Sequence, residues 1–265
     1  MLCYLRPVQT LQVQRDGGVV SITLDRPSVK NAMNRLLWEE LLGLLGEIAA
    51  NPEDRVVVVT GAGGDFCSGA DLSGGGPFEG PNHASFTMSW INQVPLALHR
   101  LPKPTIAKVR GVAAGAGLNL ALGCDLIVAS DGARFSEIFA RRGLTLDFGG
   151  SWLLPRLIGL HKAKELAFFA DMISAAEAEH LGLVNRVVPE EQLDAFVAQW
   201  AARLAKGAPV ALAQTKRLLN ESMQRSMAEA LDAEGVSQLL AIGTNDVKEA
   251  IRAFMAKREP TFEGR

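Results

Sequence analysis

Cysteine, histidine and tyrosine are scarce, with 3 Cys, 4 His and 1 Tyr in a chain of 265 residues. Cys3, Cys67 and Cys124 lie too far apart for a metal-ligand pattern or a disulfide framework. They read as small buried hydrophobes in a reducing compartment. His83, His99, His161 and His180 contain no i, i+4 pair and no cysteine neighbour, so no zinc motif is present. No uncharged apolar run approaches the roughly 18–20 residues that a membrane span requires. The opening MLCYLRPVQT lacks the apolar stretch and cleavage site of a secretory signal, and the expected location is cytoplasmic. A net charge of −2 and a pI of about 6.1 supply no basic surface for nucleic acid. What is present is ordinary globular composition, 48% apolar and 21% charged, with enough chain to bury a large core.

LQVQRDGGVVSITLD reads as two strands joined at Asp16-Gly17-Gly18, with Val20, Ile22 and Leu24 on one face. A helix follows RPSVKNAMN. Asn34 is its expected cap, Leu37, Leu41, Leu44 and Ile48 its apolar stripe, and Asn51-Pro52 its stop. RVVVVTG is a buried strand running into the loop GAGGDFCSGADLSGGGPFEG, and PTIAKVRG is another, running into GVAAGAGLNLALG and a helix. Two strand–loop–helix units predict an α/β class. From Glu190 onward the pattern is helical, in EEQLDAFVAQWAARLAKG, APVALAQTKRLLNES and TNDVKEAIRAFMAKR, with Asp246 and Glu249 as a cap for the last. The expected division is a core over 1–200 and a helical, oligomer-forming region over 201–265. Ser73 to Asn82, SGGGPFEGPN, has the composition of a disordered loop.

The stretch GVAAGAGLNLALG raises the question of what approaches its backbone. A mononucleotide loop would need Lys-Ser or Lys-Thr after the glycines, and neither loop has one. A dinucleotide fingerprint would need a third glycine where Leu120 stands. Close helix packing accounts for one small-residue loop in isolation. The second loop, DFCSGADL, also follows a strand, and two such loops can aim two main-chain N–H groups at one oxygen. The group at a helix start would be favoured by the unpaired donors and dipole there. That arrangement is an oxyanion hole.

LDRPSVKNAMN, FCSGADL, GVAAGAGLNLALGCDLIVAS, GGSWLLPRLIG and ISAAEAEHLGLVNRVVP, in this order from about Val13 to the C-terminus, resemble the signatures of the crotonase superfamily, the enoyl-CoA hydratase/isomerase family. The resemblance implies an α/β fold, a crotonase-like ββα spiral core with a helical C-terminal region, assembled as a homotrimer or dimer of trimers. It implies acyl-CoA thioesters as substrates, with no metal or redox cofactor beyond the coenzyme A of the substrate. Ala70 and Ala116 would be the two oxyanion donors. Val29 and Ala32 would meet the coenzyme, Ser68, Asp71 and Leu72 would line the thioester arm beside Gly115, and Arg26 would contact phosphate, with Lys257 of a neighbouring subunit a weaker choice.

Hydratases of the family use two glutamates, and the matching positions here hold Asn119 and Phe139. Neither moves a proton. Asp147, in GLTLDFGGSW, matches the acting aspartate of several isomerases of the family and the nucleophile of a dehalogenase branch. One carboxylate suffices for a 1,3-proton shift, whereas syn addition of water is easier with two, so the expectation is a double-bond isomerase. Leu144, Leu146, Phe148 and Trp152 would desolvate Asp147 and raise its pKa. From spacing alone Asp147 also fits an N-cap for a helix starting near Gly149. Glu137 is a rival acid, expected at the surface, as are His83 and His99. A hydratase working with one carboxylate or with Glu137, and an acyl-CoA binder without catalysis, are the alternatives.

Overall fold

The computed structural model describes residues 8–73 and 84–265, with side chains in the second segment from residue 87. His83, Cys3 and nearly all of the glycine-rich stretch Ser73 to Asn82 lie outside the described residues. Strands β1 (Leu11–Asp16) and β2 (Val19–Leu24) form the expected hairpin. Gly17 and Gly18, at φ 54° and 82°, supply the left-handed turn that a two-residue loop needs. Helix α1 (Arg35–Ala50) begins where Asn34 Oδ1 accepts the Leu37 N–H at 3.0 Å. It buries Leu37, Trp38, Leu41, Leu44, Leu45 and Ile48, side chains that each contribute about 1.5–3 kcal/mol on burial.

Strand β3 (Val56–Gly61) is apolar on both faces because both are covered. It pairs in parallel with β2 and with β4 (Thr105–Val109). The sheet continues through β6 (Leu126–Ser130) to β9 (Arg186–Val188), giving the order β1-β2-β3-β4-β6-β9. Val57 and Val59 point to the main core with α1, while Val56 and Val58 meet Leu193, Val197 and Ala201 of α7 (Leu193–Ala205). A second, three-stranded sheet is built from β5 (Val112–Ala114), β7 (Arg134–Ser136) and β8 (Ile173–Ser174). Helices α2 (Ala84–Ile91), α3 (Gln93–Arg100), α4 (Ala116–Leu122), α5 (Gly150–Phe169) and α6 (Ala175–Leu181) fill the connections. In α5, Gly159 at φ 75° interrupts the helix.

The C-terminal helices are α8 (Pro209–Glu221), α9 (Met227–Ile242) and α10 (Asn245–Met255). The boundary expected at 200 falls inside α7, which belongs to the core. The sequence reading had missed α9, opened by a Ser226–Glu229 capping box. Asp246 and Glu249 do not cap α10. Asp246 is buried and accepts the N–H groups of Glu263 and Gly264 at 2.8 and 3.0 Å. Glu249 binds Arg258, which holds its pKa at about 2.

Candidate active site

Two chain crossings bring the small-residue loops together. Beyond β3, residues 66–69 run beside β5: Phe66 N–H donates to Arg110 O, Cys67 N–H to Val112 O and Ala114 N–H to Cys67 O, at 2.8, 3.0 and 2.9 Å. Gly117 makes this approach possible, since a Cβ there would sit 2.2 Å from the Cys67 carbonyl oxygen. Gly69, at φ 105°, is equally constrained: its missing Cβ would lie 2.9 Å from Ala114 O and 3.7 Å from Ala116 N. The Ala70 and Ala116 loops are therefore laid against each other.

Ala70 pairs with Met33 in a short parallel bridge in which Met33 N–H donates to Gly69 O and Asp71 N–H to Met33 O. In that pattern the Ala70 N–H faces away from its partner. Ala116 opens α4, preceded by Gly115 at φ 54°, whose own N–H is taken by Ser136 O. Among the described residues, neither the Ala70 nor the Ala116 N–H has a protein acceptor.

The residues expected to meet a coenzyme are gathered on one side of these loops. Ser68 N–H donates to Lys30 O, and its hydroxyl to Val29 O at 3.2 Å. Val29 and Leu72 are exposed, whereas Ala32 is buried. The Arg26 guanidinium donates to Ala32 O at 2.5 Å and pairs with Asp71 at 2.8 Å, both through Nη1, so it ties two loops together. Ser73, then Arg26, lower the Asp71 pKa. Asn31, which the sequence reading passed over, is buried in left-handed backbone at φ 55°. Its amide donates to Ala62 O and Asp65 O at 2.8 and 2.7 Å while Oδ1 accepts Arg26 N–H, fixing the turn below the coenzyme segment. Lys257 is an exposed residue beyond α10 at φ 51°, away from this cluster in sequence and element.

Asp147 stands on the wall of a cavity of about 940 Å³ between α3, the start of α5 and α8. Leu146, Phe148 and Trp152 line it too, and Leu144 is exposed. Desolvation raises the Asp147 pKa to about 6, and its Oδ1 is buried with no partner among the described residues. The N-cap alternative fails, because Gly149 caps α5 without a side-chain bond and Asp147 contributes only its main-chain oxygen, to Gly150 N–H. Phe148, directly after the aspartate, is held at φ 53°. Such left-handed strain at a bulky residue marks a position that its surroundings over-determine. Ala70 and Ala116 do not line this cavity.

Two expectations of surface placement are overturned. His99 lines the cavity, its ring 5.1 Å from that of Trp152, with a pKa lowered by burial and by Lys216. Glu137 is 1% exposed. Desolvation, with Asp147 adding repulsion, raises its pKa to about 8. Asn119 lies between the two acids, its Nδ2 donating to Asp147 O at 3.0 Å and reaching Glu137 Oε2 at 3.4 Å. Phe139 is buried beside Gly115. Cys67 and Cys124 are buried thiols pushed up to about 12, as inert hydrophobes should be. Among the described residues no cluster of three metal-ligating side chains occurs. No described helix is long and apolar enough to cross a membrane.

A family model described as enoyl-CoA hydratase/isomerase matches residues 14–265. The chain is 36% identical over 255 residues to a 1,2-epoxyphenylacetyl-CoA isomerase of Escherichia coli, covering 94% of this chain and 97% of that one. It is also 36% identical over 248 residues to a short-chain-enoyl-CoA hydratase of Clostridium acetobutylicum, covering 93% and 95%. An enoyl-CoA hydratase crystal structure from Bacillus anthracis superposes with a TM-score of 0.91 at 34% identity, over 97% of this chain and all of that one. A relative of each activity matches equally well, so likeness alone does not choose between them. With a crotonase fold and a matching model over nearly its whole length, the chain is an enzyme of the enoyl-CoA hydratase/isomerase family.

Proposed function

We propose that the protein acts on acyl-CoA thioesters as a double-bond isomerase, with Asp147 carrying the proton. The observation that carries this reading is the contrast among three positions. Asn119 and Phe139 stand where a hydratase needs carboxylates, while Asp147 offers a half-buried carboxylate on a cavity wall with its pKa near 6. A base poised near the working pH removes a proton efficiently and can return it. The Ala70 and Ala116 N–H groups, free of protein acceptors among the described residues, would hold the enolate oxygen as the proton leaves. Asp147 then delivers the proton to the γ-carbon, completing a 1,3-shift with no change in redox state and no metal or redox cofactor.

The burial of Glu137 beside Asn119 gives a hydratase reading a second carboxyl. Against it, Glu137 does not line the cavity and is 1% exposed, so it is poorly placed to activate an incoming water. Exposed Phe168, Phe169, Leu239, Phe254 and Met255 support a homotrimer, or a dimer of trimers, in which the C-terminal helices meet neighbouring subunits.

The test is incubation with 3-enoyl- and 2-enoyl-CoA esters of several lengths in deuterated water, followed by product analysis. A moved double bond carrying label supports the isomerase. Formation of 3-hydroxyacyl-CoA supports the hydratase, and tight binding without turnover supports a binder. Asp147→Asn should lower kcat about 10²–10⁴-fold while leaving thioester affinity nearly intact. Unchanged turnover in that variant removes Asp147 from the role.

A further inference from the structure

Around Asn119 the accounting of donors and acceptors does not close. Asn119 Oδ1, Glu137 Oε1 and Asp147 Oδ1 are all buried oxygens without a partner among the described residues. The donor common to the group is Asn119 Nδ2, already committed to Asp147 O at 3.0 Å and directed at Glu137 Oε2 at 3.4 Å. A buried acceptor left without a donor costs about 1–3 kcal/mol, and a buried uncompensated charge costs more. One proton on Glu137 would pair two of these oxygens, Glu137 Oε1 and Asn119 Oδ1, and leave Asp147 Oδ1 open. Gly150 leaves the space this amide occupies, since a Cβ there would lie 2.4 Å from Asn119 Nδ2.

We propose that Glu137 is a positioning residue that works in its protonated form: its O–H donates to the Asn119 side chain, and the Asn119 amide in turn holds the main chain that presents Asp147. This inference rests on Asp147 being the proton carrier. Glu137 touches neither the cavity nor the reacting atoms, so its effect passes through Asn119.

The surroundings of Glu137 keep the proton on it. Burial raises its pKa most and the negative charge of Asp147, on the segment before α5, adds to that, outweighing the Asn119 amide of α4, whose donation to Oε2 favours the ionised form. On its own 3-10 turn, Ile138–Arg142, the two arginines are exposed, and Arg141 pairs with Asp171. On α6, which packs near β7, Glu177 is turned to Ser174 and Glu179 to the Val187 N–H. No described cation faces Glu137 to draw its proton off. Around pH 7 the two acids thus occupy opposite states, Asp147 mostly ionised and Glu137 mostly neutral. Above about 8, Glu137 becomes an acceptor only, and the Asn119 amide loses its second anchor.

The experiment compares the full-length wild type with Glu137→Gln, which keeps a donor in place of the neutral acid, and Glu137→Ala, which does not. In the ligand-free protein, infrared difference titration should show a neutral-acid carbonyl band, lost with a midpoint near 8 and missing from Glu137→Gln. The Asn119 side-chain amide signals in nitrogen-15 NMR should shift with that midpoint in the wild type and stay constant in Glu137→Gln. With a 3-enoyl-CoA, kcat of the wild type should fall above that pH. Glu137→Ala should lower kcat about 10²-fold with KM little changed, the cost of a misplacement near 1 Å. Glu137→Gln should recover most of that loss and abolish the alkaline fall. Failure of Glu137→Gln to recover activity beyond Glu137→Ala overturns the inference, as does an alkaline fall that persists in it. So does the absence of the band and of the amide shift, two readouts that need no substrate. Wild-type protein that turns over no enoyl thioester would instead refute the isomerase reading, leaving the infrared and NMR titrations to decide the state of Glu137.

Discussion

Gly117→Ala adds one methyl group at one of the tightest approaches among the described residues. The new Cβ would sit 2.2 Å from the Cys67 carbonyl oxygen and 2.8 Å from the Cys67 Cβ. Comfortable separations are about 3.5–4.0 Å, so α4 and the 66–69 segment must part by about 1 Å. That shift strains the Ala114-to-Cys67 hydrogen bond and carries the Ala116 N–H away from the Ala70 loop. Overpacking of this kind costs about 1–3 kcal/mol. For a chain of this size each kcal/mol lowers Tm by roughly 2–4 °C, giving a fall of roughly 2–12 °C. The kinetic loss should exceed the stability loss in proportion, about 10²-fold in kcat/KM, because 1 Å matters more to a reacting geometry than to a packed core. Gly43→Ala is the control. Gly43 is an exposed position in α1 with nothing within 4 Å of the added Cβ. Relief of glycine's low helix propensity should raise stability by about 0.8–1.0 kcal/mol at unchanged kcat/KM. Thermal unfolding and steady-state kinetics on a 3-enoyl-CoA measure both. If Gly117→Ala keeps wild-type Tm and kcat/KM, the two loops are not held as closely as the argument requires.

Three further outcomes are expected. With Asp147 acting as a base, kcat/KM should drop as pH falls through about 6, and this limb should vanish with the residual activity of Asp147→Asn. The stability sign is opposite to the usual carboxylate case. Folded pKa values of about 6 for Asp147 and about 8 for Glu137 lie above unfolded values near 4, so the native state holds the extra protons and stability falls as pH rises from about 4 to about 8. Chemical denaturation across that window should show the slope, reduced in Glu137→Gln. Asn31→Ala removes donors to Ala62 O and Asp65 O and the acceptor for Arg26 N–H. It should cost about 2–4 kcal/mol and raise KM for the thioester, measured by denaturation and kinetics.

Local rules carried the first half of the fold well. The Asp16-Gly17-Gly18 hairpin, the Asn34 cap and the Asn51-Pro52 stop depend on residues within a few positions of one another, and the structure has all three. The same logic misassigned Asp246. Its spacing to Glu249 satisfies a capping pattern, but the C-terminal tail returns to it from Glu263 and Gly264, a long-range partner invisible to spacing. The Arg26–Asp71 pair is likewise long-range, since a separate loop brings the carboxylate close.

Glu137 is the clearest case of what a linear pattern withholds. Position by position, it stands two residues from where a catalytic acid was sought, and charged residues at such offsets are usually solvated. What decides its state is not its neighbours in sequence but α4 and the segment before α5, which close over it and leave Asn119 as its contact. The replacement of a carboxylate by Asn119 looks, in one dimension, like the loss of a catalytic group. In three dimensions it substitutes a two-donor amide for a charge, at a point where a second acid is buried and a third must be aimed. A carboxylate at 119 would stand beside Glu137 and Asp147 with no counter-charge, and the cluster would have to take up further protons or open. The amide is thus what lets this chain bury Glu137 near Asp147 without adding a third charge.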